Sequence, residues 1–137
     1  MNLTEIFKLF SSPQPTENDD ESLLIDFSDH PLYWIGGFNK MISNYKFIVE
    51  YLNKSIPEVN NENVKLIGQN IMYQRAWGYV KKINLNNQFH VECIHKKASK
   101  DFLNNLEIII LFFEKLEEYE KCALLKGISD KVKESLN

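Results

Sequence analysis

From Phe38 to Leu52 the apolar positions fall at Phe38, Met41, Ile42, Tyr45, Ile48, Val49 and Leu52. Steps of three and four residues mark one buried face of a helix. Upstream, Ser28 or Asp29 is placed to cap that helix, with Pro31 in its first turn. Gly36-Gly37 weakens it by about 1 kcal/mol per Gly relative to Ala, and Pro57 closes it. A second helix is predicted from about Glu62 to Ile83, with Met72, Ala76, Val80 and Ile83 as its stripe, flanked by Tyr73 and Trp77. Ala76 and Gly78 are small enough to let a neighbouring helix come close. Asn84 to Gln88 reads as a turn. Phe89 to His95 fits a period of 2 or of 3.6 and is left as a short strand or a connecting turn. Ser99 caps a third helix whose main stripe is Phe102, Leu106, Ile109, Ile110, Phe113 and Leu116. Ile108, Leu111 and Phe112 add apolar surface on its other sides, so this helix should be central in the core or should cover a partner. Glu117-Glu118 breaks the pattern. A last helix from about Tyr119 carries Leu125, Ile128, Val132 and Leu136, with Gly127 a soft point inside it.

The first ten residues set Leu3, Ile6, Phe7 and Phe10 on one helical face. Ser11 to Glu21 follows with two Pro, no apolar residue and four acidic residues among its last five, the composition of a linker. The pattern therefore divides the chain into a short amphipathic segment at 1–10, a linker at 11–21 and a helical domain at 22–137. The amphipathic segment either packs back on that domain or docks into a partner's groove. The fold class predicted is all-α: a compact helical bundle of about four helices, with a C-terminal helical hairpin and a tethered N-terminal segment. Residues 23–27 and 89–94 stay open to a short strand.

Composition narrows the function classes. The 137 residues carry a formal net charge of −3, against the basic surface that phosphate-binding proteins use. Arg75 is the single arginine beside 15 lysines, and arginine is the common bidentate reader of guanine and phosphate. With 15 Asn, 14 Ile and three Ala, the bias suits an AT-rich genome, including that of a phage or virus. Cys93 and Cys122 are too few for a disulfide scaffold and read as free thiols in a reducing compartment. No signal-peptide pattern opens the chain, and the longest apolar run is the six residues from Ile108 to Phe113, far short of a membrane span. The expected location is the cytoplasm, of a cell or of an infected host.

Candidate chemistry is sparse. His90, Glu92, Cys93 and His95 form the one dense group of ligand-type residues. A strand or a helix would bring two or three of them together, whereas a structural zinc takes four ligands at spacings such as CxxC. The same group could supply a Cys–His nucleophile, given an electropositive setting that lowers the thiol pKa. Gly36-Gly37 lacks the spacing of a phosphate loop and is better a bend or a close helix contact. Tyr33, Trp34, Phe38, Tyr73, Trp77 and Tyr79 could stack bases, with Lys81, Lys82, Lys96, Lys97 and Lys100 as a modest basic surround. At helical spacing, though, such aromatics are the usual stuff of a core. No metal, cofactor or catalytic residue is assigned.

Near the C-terminus Leu106-Glu107, Ile110, Phe113, Tyr119-Glu120-Lys121-Cys122-Ala123 and Leu125-Lys126 resemble the UVR motif. That motif is a two-helix hairpin of bacterial excision-repair subunits and some Clp-protease partners. Tyr119 stands where its Phe would be, Cys122 at its first Ala and Lys126 at its Arg; Gly127 replaces its usual Asp, and Ser129 an apolar position. The resemblance spans 106–126 and implies a protein-contact hairpin without catalytic residues. Together these features lead to a small non-catalytic interaction protein, an adaptor, inhibitor or assembly subunit that binds a protein partner or itself. The expected contact residues are Leu3, Ile6, Phe7, Phe10, Arg75, Ile108, Leu111 and Phe112. A nucleic-acid accessory protein using the lysines, and a Cys/His enzyme or metal site at 90–95, are the alternatives. No membrane association is expected.

Overall fold

The computed structural model describes residues 27–55 and 62–137. The amphipathic segment at 1–10, the linker at 11–21 and most of the short strand considered at 23–27 lie outside the described residues. Among the described residues a 3-10 turn at Phe27–Asp29 leads into five α-helices: α1 (Pro31–Ser55), α2 (Glu62–Val80), α3 (Gln88–Lys97), α4 (Lys100–Lys115) and α5 (Tyr119–Leu136). No strand occurs among the described residues. No helix among them is long and apolar enough to cross a membrane.

The all-α architecture agrees with the sequence pattern, with one helix more than the four or so expected. The addition is α3, where a short strand or a turn was expected. Asn87 decides it: its side-chain oxygen accepts from the backbone N–H groups of Phe89 (2.9 Å) and His90 (3.3 Å), so the turn after α2 runs straight into a capped helix. Helical geometry then buries Ile94 together with Val91 and Cys93, whereas an alternating strand would have put Ile94 on the opposite face from those two. α2 stops at Val80 rather than Ile83. The chain tightens through Lys81-Lys82, with the Ile83 N–H donating to the Val80 carbonyl at 3.0 Å, and Ile83 still reaches the core.

The start of α1 is also corrected. Neither Ser28 nor Asp29 caps it; His30 does. The His30 carbonyl accepts from the N–H groups of Tyr33 (2.9 Å) and Trp34 (3.2 Å), and its ring Nδ1 accepts from that of Leu32 (3.0 Å). The helix then passes through Gly36-Gly37 without a break. Gly36 faces open space, but a Cβ at Gly37 would collide with the ring of Tyr79 on α2. The close contact is at Gly37, and none is made at Gly78, where a Cβ would meet nothing within 4 Å.

α1 and α2 are antiparallel. Tyr33 meets Tyr79 at one end (ring centroids 6.0 Å apart). Further along, Tyr45 meets Tyr73 (5.5 Å), and its hydroxyl donates to the Lys65 carbonyl (3.2 Å). α4 and α5 form the C-terminal hairpin. Ser99 caps α4 as expected, its Oγ accepting from the Phe102 N–H at 3.0 Å. The break at Glu117-Glu118 is a left-handed turn, with Glu117 at φ 58° and the Glu118 N–H donating to the Phe113 carbonyl at 3.0 Å. Phe38, Phe102, Phe113, Leu106, Leu125 and Ile128 are fully buried and join α1, α4 and α5 in one core. Within it Asn105 donates to Asn39 Oδ1 (3.0 Å) and accepts from the Lys46 ammonium (3.3 Å), so the one buried amide of α4 is satisfied from α1.

Candidate protein-contact face

Among the described residues, large apolar side chains remain in water on every helix: Phe89, Leu111, Leu116, Tyr119 and Leu136 are spread over the later part of the fold, and the others lie on the first two helices. Tyr33, Phe47 and Tyr51 on α1, and Leu66, Ile67 and Ile71 on α2, are all exposed. Helical spacing orders them. Lys40, Phe47, Tyr51 and Lys54 share one stripe of α1, since steps of seven, four and three return to the same side. Ile67, Ile71 and Arg75 follow at steps of four along α2. The antiparallel register fixed by Tyr33–Tyr79 and Tyr45–Lys65 sets Phe47 level with Ile67. Phe47 is 69% exposed and Ile67 62%, so neither belongs to the core. The result is an apolar rung flanked by three cations, Lys40, Lys54 and Arg75, on the outer side of the α1–α2 pair.

The residues expected to make contacts are distributed unevenly. Leu3, Ile6, Phe7 and Phe10 lie outside the described residues. Arg75 is exposed one turn beyond Ile71 and joins the face. Ile108 and Phe112 do not: both are half-buried against the core, and Phe112 is held edge-on by Tyr73 (4.9 Å) and Phe113 (5.1 Å). Leu111, 59% exposed, is the one side chain of that trio left open. The expected surplus of apolar surface on α4 is thus largely absorbed by aromatic packing against α2. Phe47, Tyr51, Ile67 and Ile71 were missed by the sequence reading. Their signal was present, since each is a large apolar residue that falls off its helix's buried stripe.

The groups that might carry chemistry are dispersed. His90 accepts the Asn84 N–H at Nδ1 (2.9 Å) and packs against Trp34, while His95 pairs with Glu134 (3.3 Å) on α5. Cys93 is buried, and burial pushes its thiol up from the ordinary 9.0, opposite to the shift an activated nucleophile needs. Among the described residues no group of three His, Cys, Asp or Glu is placed to hold a metal ion. Of the six aromatics considered for base stacking, Trp34, Phe38 and Tyr73 are buried and Trp77 and Tyr79 half-buried. Only Tyr33 offers a face to solvent. Lys81-Lys82 directly follow α2, whereas Lys96-Lys97 close α3, so the two pairs belong to different parts of the chain's path.

The hairpin at 106–126 has the buried seam its spacing implied, through Leu106, Ile110, Cys122 and Leu125. At Gly127 an added Cβ would meet the end of the Leu85 side chain, which would have to turn aside. Comparison with known families, characterised proteins and solved structures finds no match for this chain.

Proposed function

We propose that this chain is a small non-catalytic interaction protein that receives a partner's helix along the outer face of α1 and α2. The observation that carries this reading is the exposed rung of Phe47, Ile67 and Ile71, bordered by Lys40, Lys54 and Arg75. Isolated exposed apolar residues need no explanation, but aligned ones on neighbouring helices favour a contact surface. The chemistry suits an amphipathic helix with apolar anchors at steps of three or four and carboxylates beside them. The UVR-like hairpin supports the same class, as a second contact element. Leu3, Ile6, Phe7 and Phe10 would form a third. The AT-rich composition suits a phage- or virus-encoded protein acting on a host factor in the cytoplasm, as adaptor or inhibitor.

Two measurements test the reading. Partners captured from native lysate should be lost with Phe47→Asp and Ile71→Asp but kept with Leu111→Asp, all three variants having wild-type urea midpoints. Retention of every partner by Phe47→Asp/Ile71→Asp would overturn the face. The nucleic-acid alternative predicts salt-dependent binding of DNA or RNA that weakens with Lys81→Ala/Lys82→Ala and Lys96→Ala/Lys97→Ala.

A further inference from the structure

We propose that the outer face of α1 and α2 docks the chain's own N-terminal segment, with Leu3, Ile6, Phe7 and Phe10 covering the apolar rung and Glu17, Asp19, Asp20 and Glu21 meeting the cations beside it. The inference rests on the face read above as a contact surface and names its resident occupant, which an incoming helix would displace. The segment lies outside the described residues, and its residue order is what matches the face. The face has a direction. Gly37 lies beside Tyr79 and Gly68 beside Tyr45, a register that sets Lys40 level with Arg75. Phe47 stands seven residues on, about 10 Å along α1, level with Ile67, and Ile71 falls between the two levels. From the start of α1 outward the surface therefore presents cations first and the apolar rung second, with Lys54 beyond.

Going back from Phe27, the chain has the same order: Glu21 to Glu17 come first, and Phe10 to Leu3 second. A segment that folds back along the helix it precedes meets that helix in this mirrored order. Acid then falls on Lys40 and Arg75, and apolar residues fall on Ile71, Phe47 and Ile67. The lengths agree. Lys40 lies about 14 Å and Phe47 about 24 Å from the start of α1. Glu17 to Glu21 stand six to ten residues before Phe27, and Phe10 stands seventeen before it. At full extension these reach up to ~20 to 35 Å and ~55 Å. Charge favours the same occupant. α1 and α2 carry Lys40, Lys46, Lys54, Lys65 and Arg75 against Glu50 and Glu62. Glu50 lies three residues from Phe47, and the apolar segment brings Lys8 to it. A second copy would instead oppose two cationic borders. Tethering holds the segment at an effective concentration of about millimolar, so four apolar anchors can hold it without a tight interface.

The test uses the full chain with a nitroxide on Thr4→Cys; the native Cys93 and Cys122 are buried, so the added thiol takes the label. In dilute solution at low ionic strength, the amide signals of Phe47, Ile67 and Ile71 should weaken at least twofold relative to the reduced label, while Val132 and Lys133 on α5 keep theirs. Phe7→Asp/Phe10→Asp should abolish the effect. Lys40→Glu/Arg75→Glu should reduce it, and adding Asp19→Lys/Asp20→Lys should restore it. Unweakened face signals in the otherwise wild-type chain overturn the docking, as does equal weakening in Phe7→Asp/Phe10→Asp. Weakening of an isotope-labelled chain by a separate nitroxide-labelled one assigns the face to a second copy and overturns it too. An unchanged effect after the charge reversal overturns the match of the acidic run with Lys40 and Arg75. The two readings fail separately. Partners lost with Phe47→Asp/Ile71→Asp but no weakening removes this occupant alone, and weakening with every partner kept removes the partner face alone. Should a variant fail to fold, the otherwise wild-type chain decides the question alone.

Discussion

Replacing Gly36 and Gly37 in turn by alanine should move stability in opposite directions, although the two residues are adjacent in one helix. Each change gains helix propensity of about 1 kcal/mol. At Gly36 nothing lies within 4 Å of the added methyl, so the gain stands alone. At Gly37 the methyl would fall on the Tyr79 ring, whose Cζ is 2.8 Å from the added carbon's position. That ring is half-buried and seated against Tyr33, so it can yield only by giving up the contact or by pushing α1 and α2 apart. Overpacking of this kind costs about 1 to 3 kcal/mol. Gly36→Ala should therefore raise stability by about 1 kcal/mol, and Gly37→Ala should leave it unchanged or lower it by up to about 2 kcal/mol. Urea titrations followed by far-UV circular dichroism measure both, the slope staying at the wild-type value. A double-mutant cycle with Tyr79→Ala should return the lost energy at Gly37. Equal stabilisation by the two alanines would refute the claim that α1 and α2 meet at Gly37.

Three further predictions rest on other parts of the core. Lys121 lies 4.8 Å from the Phe113 ring centroid and 5.7 Å from that of Trp77, donates to Gln74 at 2.9 Å and pairs with Glu118 at 3.2 Å. The Glu118 Oε2 it faces is buried, with no hydrogen bond other than this ion-pair contact to offset its desolvation. Lys121→Ala should destabilise by about 1 to 3 kcal/mol in the same urea assay, and adding Glu118→Gln should recover part of the loss. Glu117→Gly relieves a left-handed residue at the α4–α5 turn and should stabilise by about 0.5 to 1 kcal/mol, read as a higher melting temperature. Burial raises Cys93 and Cys122 above their ordinary 9.0, and Tyr45 and Tyr73 above 10.0. The unfolded chain then releases these protons first, so stability present below pH 9.0 should fall as pH rises past 9.0 and again past 10.0. Chemical denaturation from pH 8 to 11 would show a flat profile if those groups were in water.

How much of this was legible in the sequence depends on the kind of interaction that decides each element. Ser99 and the Glu117-Glu118 break were readable because a cap and a turn are local, set by residues within one helical turn. The stripes of α1, α4 and α5 were readable along most of their length because periodicity reports one buried face, but Leu116 and Leu136, read as their ends, are exposed where the helices run past the core, and the side chain of Leu52 lies outside the described residues. The segment at 89–95 was not, because its seven residues satisfy two periods and the deciding group, Asn87, lies outside the run. His30 was not readable as a cap either, since imidazole is not among the usual capping side chains. The contact at Gly37 was narrowed to two alternatives, and only the position of Tyr79, some forty residues on, chooses between them.

Counting apolar residues along one helix located only part of the surplus: Leu111 and Leu116 are exposed, but Phe47, Ile67 and Ile71 are exposed as well. α4 is apolar nearly all round, so on its own it is the natural place for a contact. In the fold, the ladder Tyr45–Tyr73–Phe112–Phe113–Trp77 runs from α1 through α2 into α4, and it takes up the extra side of α4 by laying aromatic edges on aromatic faces. That ladder uses the inner side of α2. Met72, Ala76 and Val80 use the rest of its buried width. Ile67 and Ile71 are a further apolar pair on a helix whose inward surface is already committed, and so they stand in water beside Phe47. A helix central in the bundle can hide surplus apolar surface on several sides. A peripheral one has a single inward side, and whatever exceeds it stays in water, as Ile67 and Ile71 do.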